Sequence, residues 1–328
     1  MSPLRSFRTA FASIPKLALT MTAALVAWSR FGVDHDMASG PSLTAERSEV
    51  GDGAGGSVAV YGDPSGEGTP VLLVHSVNAA ASAYEMRPLF GRLASTRPVY
   101  ALDLPGYGES TRGDRSYTPP LMSDAITHVL EHIDRPAHVV ALSLGSEFSA
   151  RAAISSPGRF ATLALISPTG FGPASGSQPR GGGVLRFRPW SQAIFDLIAS
   201  RRSIEFFLKR SFTGPVDAGL VEHAYRTSHR PGARFAPLAF LSGELFSQDA
   251  VELLYRKVSV PSLVLFDRDP FTGFGRLPDF VADHDQWAAV RIPDTAGLPH
   301  WDRPAATLGA LEAHWAAYEA NASTNAEW

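Results

Sequence analysis

Between residues 57 and 318 short apolar runs alternate with stretches of helical period, and that alternation leaves few architectures open to the chain. Runs at residues 58–61, 71–74, 99–102, 138–142, 161–166, 262–266 and 288–292 have the length of strands. Several are continuous in Val, Leu and Ile, as strands buried on both faces are. Helical periods at 84–93, 119–133, 144–155, 277–287 and 305–318 separate them. With right-handed crossovers this predicts an α/β fold, a doubly wound and mostly parallel sheet. The rhythm stops between Phe171 and Lys257, where a Gly/Ser/Pro-rich stretch (172–183) precedes helical patterns at 194–207 and 250–255. An insertion leaving the carboxyl end of a strand lies over the crevice where such sheets bind ligands, so residues 171–257 are expected to form a helical lid. The expected core is then 51–170 with 258–320, preceded by an N-terminal element (1–50) and followed by a polar tail (321–328).

Composition narrows the function. The chain has no cysteine, which excludes disulfide scaffolds, Cys-ligated metal sites and a thiol nucleophile. A net charge of -3 gives no basic footprint for nucleic acid. Hydrophobic residues at 45% against 19% charged allow a large core, and the expected partner is a small-molecule substrate, with neither metal nor organic cofactor. Oligomeric state is not legible. At the N-terminus, Arg5, Arg8 and Lys16 precede an uncharged run over 17–29, as in an export signal or anchor. That run is short of the ~20 residues that span a bilayer. Phe7, Phe11, Ile14, Met21, Leu25 and Trp28 also recur at three- and four-residue steps, the pattern of an amphipathic helix lying on a membrane or on the domain itself. Two localisations stay open on these grounds: cytoplasmic with a docked helix, or anchored or exported with membrane contact through residues 1–33.

The strongest local signal for chemistry is Val139-Val140-Ala141-Leu142-Ser143-Leu144-Gly145, a buried strand turning at a serine into a helix. Small residues on both sides of Ser143 are needed because such a turn brings neighbouring backbone close. The turn exposes the Ser143 hydroxyl and aims the N–H of Leu144 at a developing oxyanion. Taken alone, the same residues also fit a serine that caps a helix.

Upstream stand Val74-His75-Ser76-Val77-Asn78 and Asp103-Leu104-Pro105-Gly106-Tyr107-Gly108-Glu109-Ser110. With the serine turn, these resemble the α/β-hydrolase family over about residues 57–318, and most closely its capped serine hydrolases, the esterases and C–C bond hydrolases. The resemblance implies a catalytic triad and an oxyanion hole. Ser143 would be the nucleophile, with Leu144 and Val77 as the two N–H donors, although Ser76 stands where the family usually has Gly. Asp269, in Phe266-Asp267-Arg268-Asp269-Pro270, matches the acid position, and Asp267 is its close competitor. The ending Ala296-Gly297-Leu298-Pro299-His300-Trp301-Asp302-Arg303-Pro304 resembles the family's G-H-x-P-H, but with Gly297 under the catalytic histidine. His300 is the remaining histidine of that loop and the expected base, provided the loop is remodelled to bring it within about 3 Å of Ser143. A serine nucleophile argues for an ester, a thioester or a C–C bond beside a ketone. The alternative reading is a catalytically impaired ligand-binding protein of the same fold.

Three weaker patterns carry less. His128-Val129-Leu130-Glu131-His132 matches a zinc spacing, but Ile126, Val129 and Leu130 claim the buried face of that helix and leave the histidines on its flank. Asn321-Ala322-Ser323 matches the glycosylation sequon in the polar tail. Arg180, Arg186, Arg188, Arg201, Arg202, Lys209 and Arg210 read as a solvated lid face.

Overall fold

The computed structural model describes residues 20–172, 185 and 187–326. Eight strands follow in chain order: β1 (Glu46–Gly51), β2 (Ser57–Asp63), β3 (Val71–Val74), β4 (Val99–Leu102), β5 (Ala137–Leu142), β6 (Phe160–Ile166), β7 (Ser262–Phe266) and β8 (Trp287–Arg291). They form one sheet in the order β1-β2-β4-β3-β5-β6-β7-β8. The β1–β2 and β2–β4 pairs are antiparallel and the rest parallel. Because β3 lies between β4 and β5, the chain winds outward in two directions from it, which opens a crevice at the carboxyl ends of β3 and β5.

The central strands β3, β5 and β6 are buried throughout and apolar except for His138 and Thr162, and alternate residues face opposite layers. Leu72, Val74, Val139, Ala141, Leu163 and Leu165 share one core with Ile126 and Val129 of α3 (Pro119–Ile133) and Phe148 of α4 (Gly145–Ser155). Leu73, Val140, Leu142, Ala164 and Ile166 share the other with Leu89 and Phe90 of α2 (Arg87–Leu93) and with Leu311 and Trp315 of the last helix (Pro304–Ala326). Helix α3 starts where Thr118 accepts the Leu121 N–H ahead of two prolines in the first turn, and it ends on left-handed Asp134.

Three readings from periodicity change. The 84–93 pattern divides into a 3-10 turn (Ala83–Met86) and α2. The 277–287 helix stops at Ala282, and the last helix continues through Asn321 to Ala326 where a tail was expected. Strand β1 was missed because it is a polar, half-exposed edge strand.

Between β6 and β7 lie the inserted helices α5 (Arg188–Ile198), α6 (Arg201–Ser211), α7 (Ala218–Ser228), α8 (Phe235–Leu241) and α9 (Ala250–Leu253). The 194–207 pattern is thus two helices, separated where Ser200 caps α6. Residues 173–183 of the hinge stretch, Arg180, Arg186, and Arg5 to Lys16 with Phe7, Phe11 and Ile14 lie outside the described residues. Of the N-terminal element, residues 20–32 form the first helix, α1. Of its apolar stripe, Met21 and Trp28 stay exposed, at 65% and 42%, while Leu25 is half-buried. The contact is polar: the Ser29 hydroxyl and His35 Nε2 both meet the buried Asp196 carboxylate on α5. Among the described residues no helix is long and apolar enough to cross a membrane. The following segment crosses the insertion through Met37 N–H to His229 O (3.2 Å) and Ser42 Oγ to His223 Nε2 (3.3 Å). Buried Glu147 on α4 holds the two ends of the insertion, accepting from the Thr169 hydroxyl and from Ser247 N–H (2.8 Å).

Two glycines test this packing. Gly108 has φ +48°, and a Cβ there would lie 1.9 Å from the Asp103 carboxyl carbon. Gly91, within α2, meets nothing within 4 Å. Gly108→Ala is expected to destabilise by about 2 kcal/mol or more, whereas Gly91→Ala should stabilise by up to about 1 kcal/mol. Urea unfolding of the two variants beside the wild type measures both.

Candidate functional site

At the carboxyl end of β5 the chain turns at Ser143, which sits at φ 53° although it is not glycine. The turn is held by Ser143 N–H to Ile166 O (2.9 Å) and by Ser146 N–H to Ser143 O (3.0 Å). Ser167, at the end of neighbouring β6, is also left-handed at φ 45°, and its buried hydroxyl has no hydrogen-bond partner. Strain at two adjacent strand ends is what an exposed nucleophile on a tight turn requires. Gly145 explains the small residue after the serine, because a Cβ there would lie 2.5 Å from the His75 carbonyl oxygen. That contact presses the β3 loop, with Val77, against the serine turn.

Among the described residues the amide N–H groups of Val77 and Leu144 donate to no acceptor, and both residues are buried. A buried N–H without a partner costs about 1–3 kcal/mol. Leu144 directly follows the half-buried Ser143 at the N-terminus of α4, where an N–H group favours negative charge. Ser76, in place of the family's Gly, does not take a left-handed φ. The loop is fixed instead by Glu85, a buried residue that sequence reasoning missed. Its carboxylate accepts from Ser76 N–H (2.9 Å) and Asn78 Nδ2 (2.8 Å).

The two aspartates separate cleanly. Asp267 is buried and spent on Arg291 Nε (2.6 Å) and Thr295 N–H (3.1 Å). Burial alone would raise its pKa, but those bonds outweigh it and hold the carboxyl below the usual range. Asp269 uses only Oδ1, which accepts from Phe271 N–H (2.7 Å) and Thr272 N–H (3.3 Å). Among the described residues its Oδ2 has no hydrogen-bond partner, and burial pushes this carboxyl up. A Cβ built on Gly297 would stand 3.0 Å from that same oxygen. Gly297 therefore faces the acid, as a histidine in its place would. Gly297 is not among the left-handed glycines.

His300 is not brought to Ser143. It lies in the short helix Pro299–Asp302, fully buried, with Nε2 donating to the Glu85 carbonyl (2.9 Å) beside Trp301 Nε1 (2.7 Å). Its Nδ1 has no partner. The three-residue offset from Gly297 turns the ring toward the 3-10 turn Ala83–Met86, away from the acid. None of the ten histidines hydrogen-bonds Ser143 or Asp269 among the described residues. The site thus assembles a hydroxyl, two N–H donors and a carboxylate, without an imidazole between them.

A model of the Alpha/beta hydrolase family matches residues 71–310. The chain is 35% identical over 147 residues to the dihydrolipoyllysine-residue acetyltransferase component of the acetoin cleaving system of Pseudomonas putida, a stretch covering 44% of this chain and 37% of that protein. The chain spans about a third of the length of the curated relatives it matches. Among solved structures it is similar to a serine hydrolase involved in carbazole degradation, at TM-score 0.66 and 17% identity over 83% of this chain and 99% of the other. It is also similar to a membrane phospholipase A described as a bacterial virulence factor, at TM-score 0.63 and 20% identity over 96% and 98%. Both likenesses concern the fold.

Two predictions follow from this geometry. Glu85→Ala removes the acceptor that fixes Ser76 and Asn78 and should slow Ser143-dependent ester hydrolysis about 100-fold, the scale of losing one oxyanion donor, with circular dichroism unchanged. Burial also holds His300 near pH 4, against an ordinary 6.5, so its folded form is the neutral ring. The stability tied to that neutral ring is whole above pH 6.5 and is lost as pH falls toward 4. His138 is likewise held near 4 by burial and contributes its own share. His300→Gln should therefore make the acid side of the stability curve shallower without flattening it, as urea midpoints measured across that window would show.

Proposed function

The chain belongs to the alpha/beta hydrolase family, its enzyme class is hydrolase, and on that premise we propose that it is a serine hydrolase acting on a small carbonyl substrate through Ser143. The observation that carries the reading is the pair of unpartnered, buried N–H groups of Val77 and Leu144 beside a strained serine. Ser143 Oγ attacks the carbonyl carbon, the two N–H groups hold the oxyanion, and collapse expels the leaving group to give an acyl-enzyme that water hydrolyses. Esters, thioesters and C–C bonds beside a ketone fit this order of events. In this reading Asp269 is the acid, although among the described residues no histidine hydrogen-bonds it or Ser143. The inserted helices are read as a lid: Phe207 of α6 packs 6.2 Å from Phe271, two residues beyond Asp269, and Thr213 N–H reaches the Asp302 carboxylate.

A second reading, a fold that holds a ligand without turning it over, is favoured by Gly297 and the inward turn of His300. Treatment with a fluorophosphonate separates them, since bonding of phosphorus to Ser143 Oγ expels fluoride and adds a mass readable on the peptide. We expect slow labelling that disappears in Ser143→Ala, together with slow hydrolysis of p-nitrophenyl acetate. Oxyanion donors and binding alone retain about 10³-fold acceleration over water when a triad member is missing. His300→Gln should leave the labelling rate within about twofold, because the ring touches no reacting atom. Hydrolysis undiminished in Ser143→Ala would remove the serine from the reaction.

A further inference from the structure

The basic face expected over α6 is interleaved with aromatic rings left in water. The inner side of this helix is spent on packing: buried Ile204 and half-buried Leu208 join Val221 and Ala224 of α7 and Ala80, which lies in the same loop as Val77. Its outer side carries Arg202, Phe206, Lys209 and Arg210, all exposed, at the spacing that aligns residues along one face. Phe206 is 56% exposed and the adjacent Phe207 49%. Phe271, 57% exposed on the loop of Asp269, extends this surface. Its ring lies 6.2 Å from that of Phe207, and the Arg210 guanidinium stands 5.8 Å from the rings of both Phe206 and Phe271. Three neighbouring exposed rings form a patch, which a scatter of single apolar residues does not. The charges are unbalanced as well. Arg201 pairs with Glu222, but among the described residues Arg202, Lys209 and Arg210 pair with no carboxylate, and Glu205 is the sole acid of the helix. This surface is basic in a chain whose net charge is -3.

We propose that the outer side of α6, with Phe271, docks on an anionic lipid surface and, resting on the serine-hydrolase reading above, that the ester cleaved at Ser143 is one dissolved in that surface. The Phe rings enter the boundary between headgroups and acyl chains, while the long Lys and Arg side chains reach back to the headgroup anions. Docking of this kind needs no helix long enough to cross. Charge selects the occupant. A zwitterionic surface leaves the three cations unmet, and a second copy would bring the same three cations against them, since a symmetric contact pairs a patch with itself. Position adds a reason. Phe271 donates its N–H to Asp269 Oδ1, and the inner side of α6 packs on Ala80, so the docked face adjoins both the acid loop and the loop of Val77.

The test uses the full chain and its flotation with vesicles of phosphatidylcholine alone or in equal mixture with phosphatidylglycerol. Binding to the mixed vesicles is expected to be about 10-fold tighter or more, and weaker at high salt. Phe206→Ser should weaken it about 10-fold, and Lys209→Gln with Arg210→Gln should remove the preference for the anionic lipid. Both variants change exposed residues, and circular dichroism checks that they fold. Binding that neither variant changes, or that only Met21→Ser with Phe31→Ser on α1 removes, overturns the α6 surface. No binding to either vesicle also overturns it, and a dimer that Phe206→Ser splits would then give the face to a second copy. The substrate is read from p-nitrophenyl laurate carried in the vesicles beside p-nitrophenyl acetate in solution. Faster laurate release from the mixed vesicles, lost in Phe206→Ser while acetate hydrolysis is unchanged, is the expected result. Equal release from both vesicles, with binding intact, overturns the lipid-dissolved substrate. Ser143→Ala should bind as the wild type does and release nothing. If it binds and still hydrolyses, the serine reading fails and the docking stands.

Discussion

One buried carboxylate organises the half of the molecule that carries the loop of Val77. Asp103, at the end of β4, is fully buried and is met by hydrogen-bond donors, with Arg112 and His223 also acting on it electrostatically. Ala83 N–H (2.7 Å), Glu109 N–H (2.8 Å), the Tyr61 hydroxyl (2.9 Å) and the Ser42 hydroxyl (3.1 Å) each come from a different segment. A charge in such a place is tolerable only with full satisfaction, since each bond to an ionised group is worth about 1.5–3 kcal/mol and an unmet one costs more. The burial and that charge push the Tyr61 phenol well up, so it stays a donor. Through Ala83 the carboxylate fixes the 3-10 turn that holds Glu85, and Glu85 fixes the loop of Val77. The placement of the Val77 loop thus originates two steps away from it.

These links also show what the sequence could and could not disclose. Gly108 after Asp103 lies against the carboxylate itself, which is why that position carries no side chain. The central strands were readable because burial on both faces leaves them apolar apart from His138 and Thr162, which bond to each other. Glu85 was not, since an acid inside an amphipathic helical pattern looks like a solvated residue, and its partners lie 7 to 9 positions upstream across a loop. His300 was legible as a residue but not as an orientation. Its direction is set by the carbonyl of Glu85, 215 positions earlier in the chain, and no local pattern encodes such a contact.

The site is unequal in how its parts are held. Ser143 is kept strained by backbone bonds to β6 and α4, and the oxyanion loop is clamped by a carboxylate, so both are rigid before any ligand arrives. Asp269 is anchored by one oxygen and open at the other. Preorganisation of donors lowers the cost of forming the oxyanion, whereas an unshared carboxylate oxygen carries a burial penalty until something donates to it. The asymmetry makes the acid side of the site the side on which ligand binding gains most.

The N-terminal segment bears on the order in which the protein can assemble. Ser29 meets Asp196 across 167 positions and Ser42 meets His223 across 181, so neither contact exists until more than half the chain is available. On a ribosome the helix over residues 20–32 emerges before the sheet and the inserted helices, with Met21 and Phe31 apolar and uncovered. Closing so long a loop is entropically a late event. This helix, made before the elements it docks on, is then among the last to dock, and that interval is when a chaperone or a lipid surface has its best access to it.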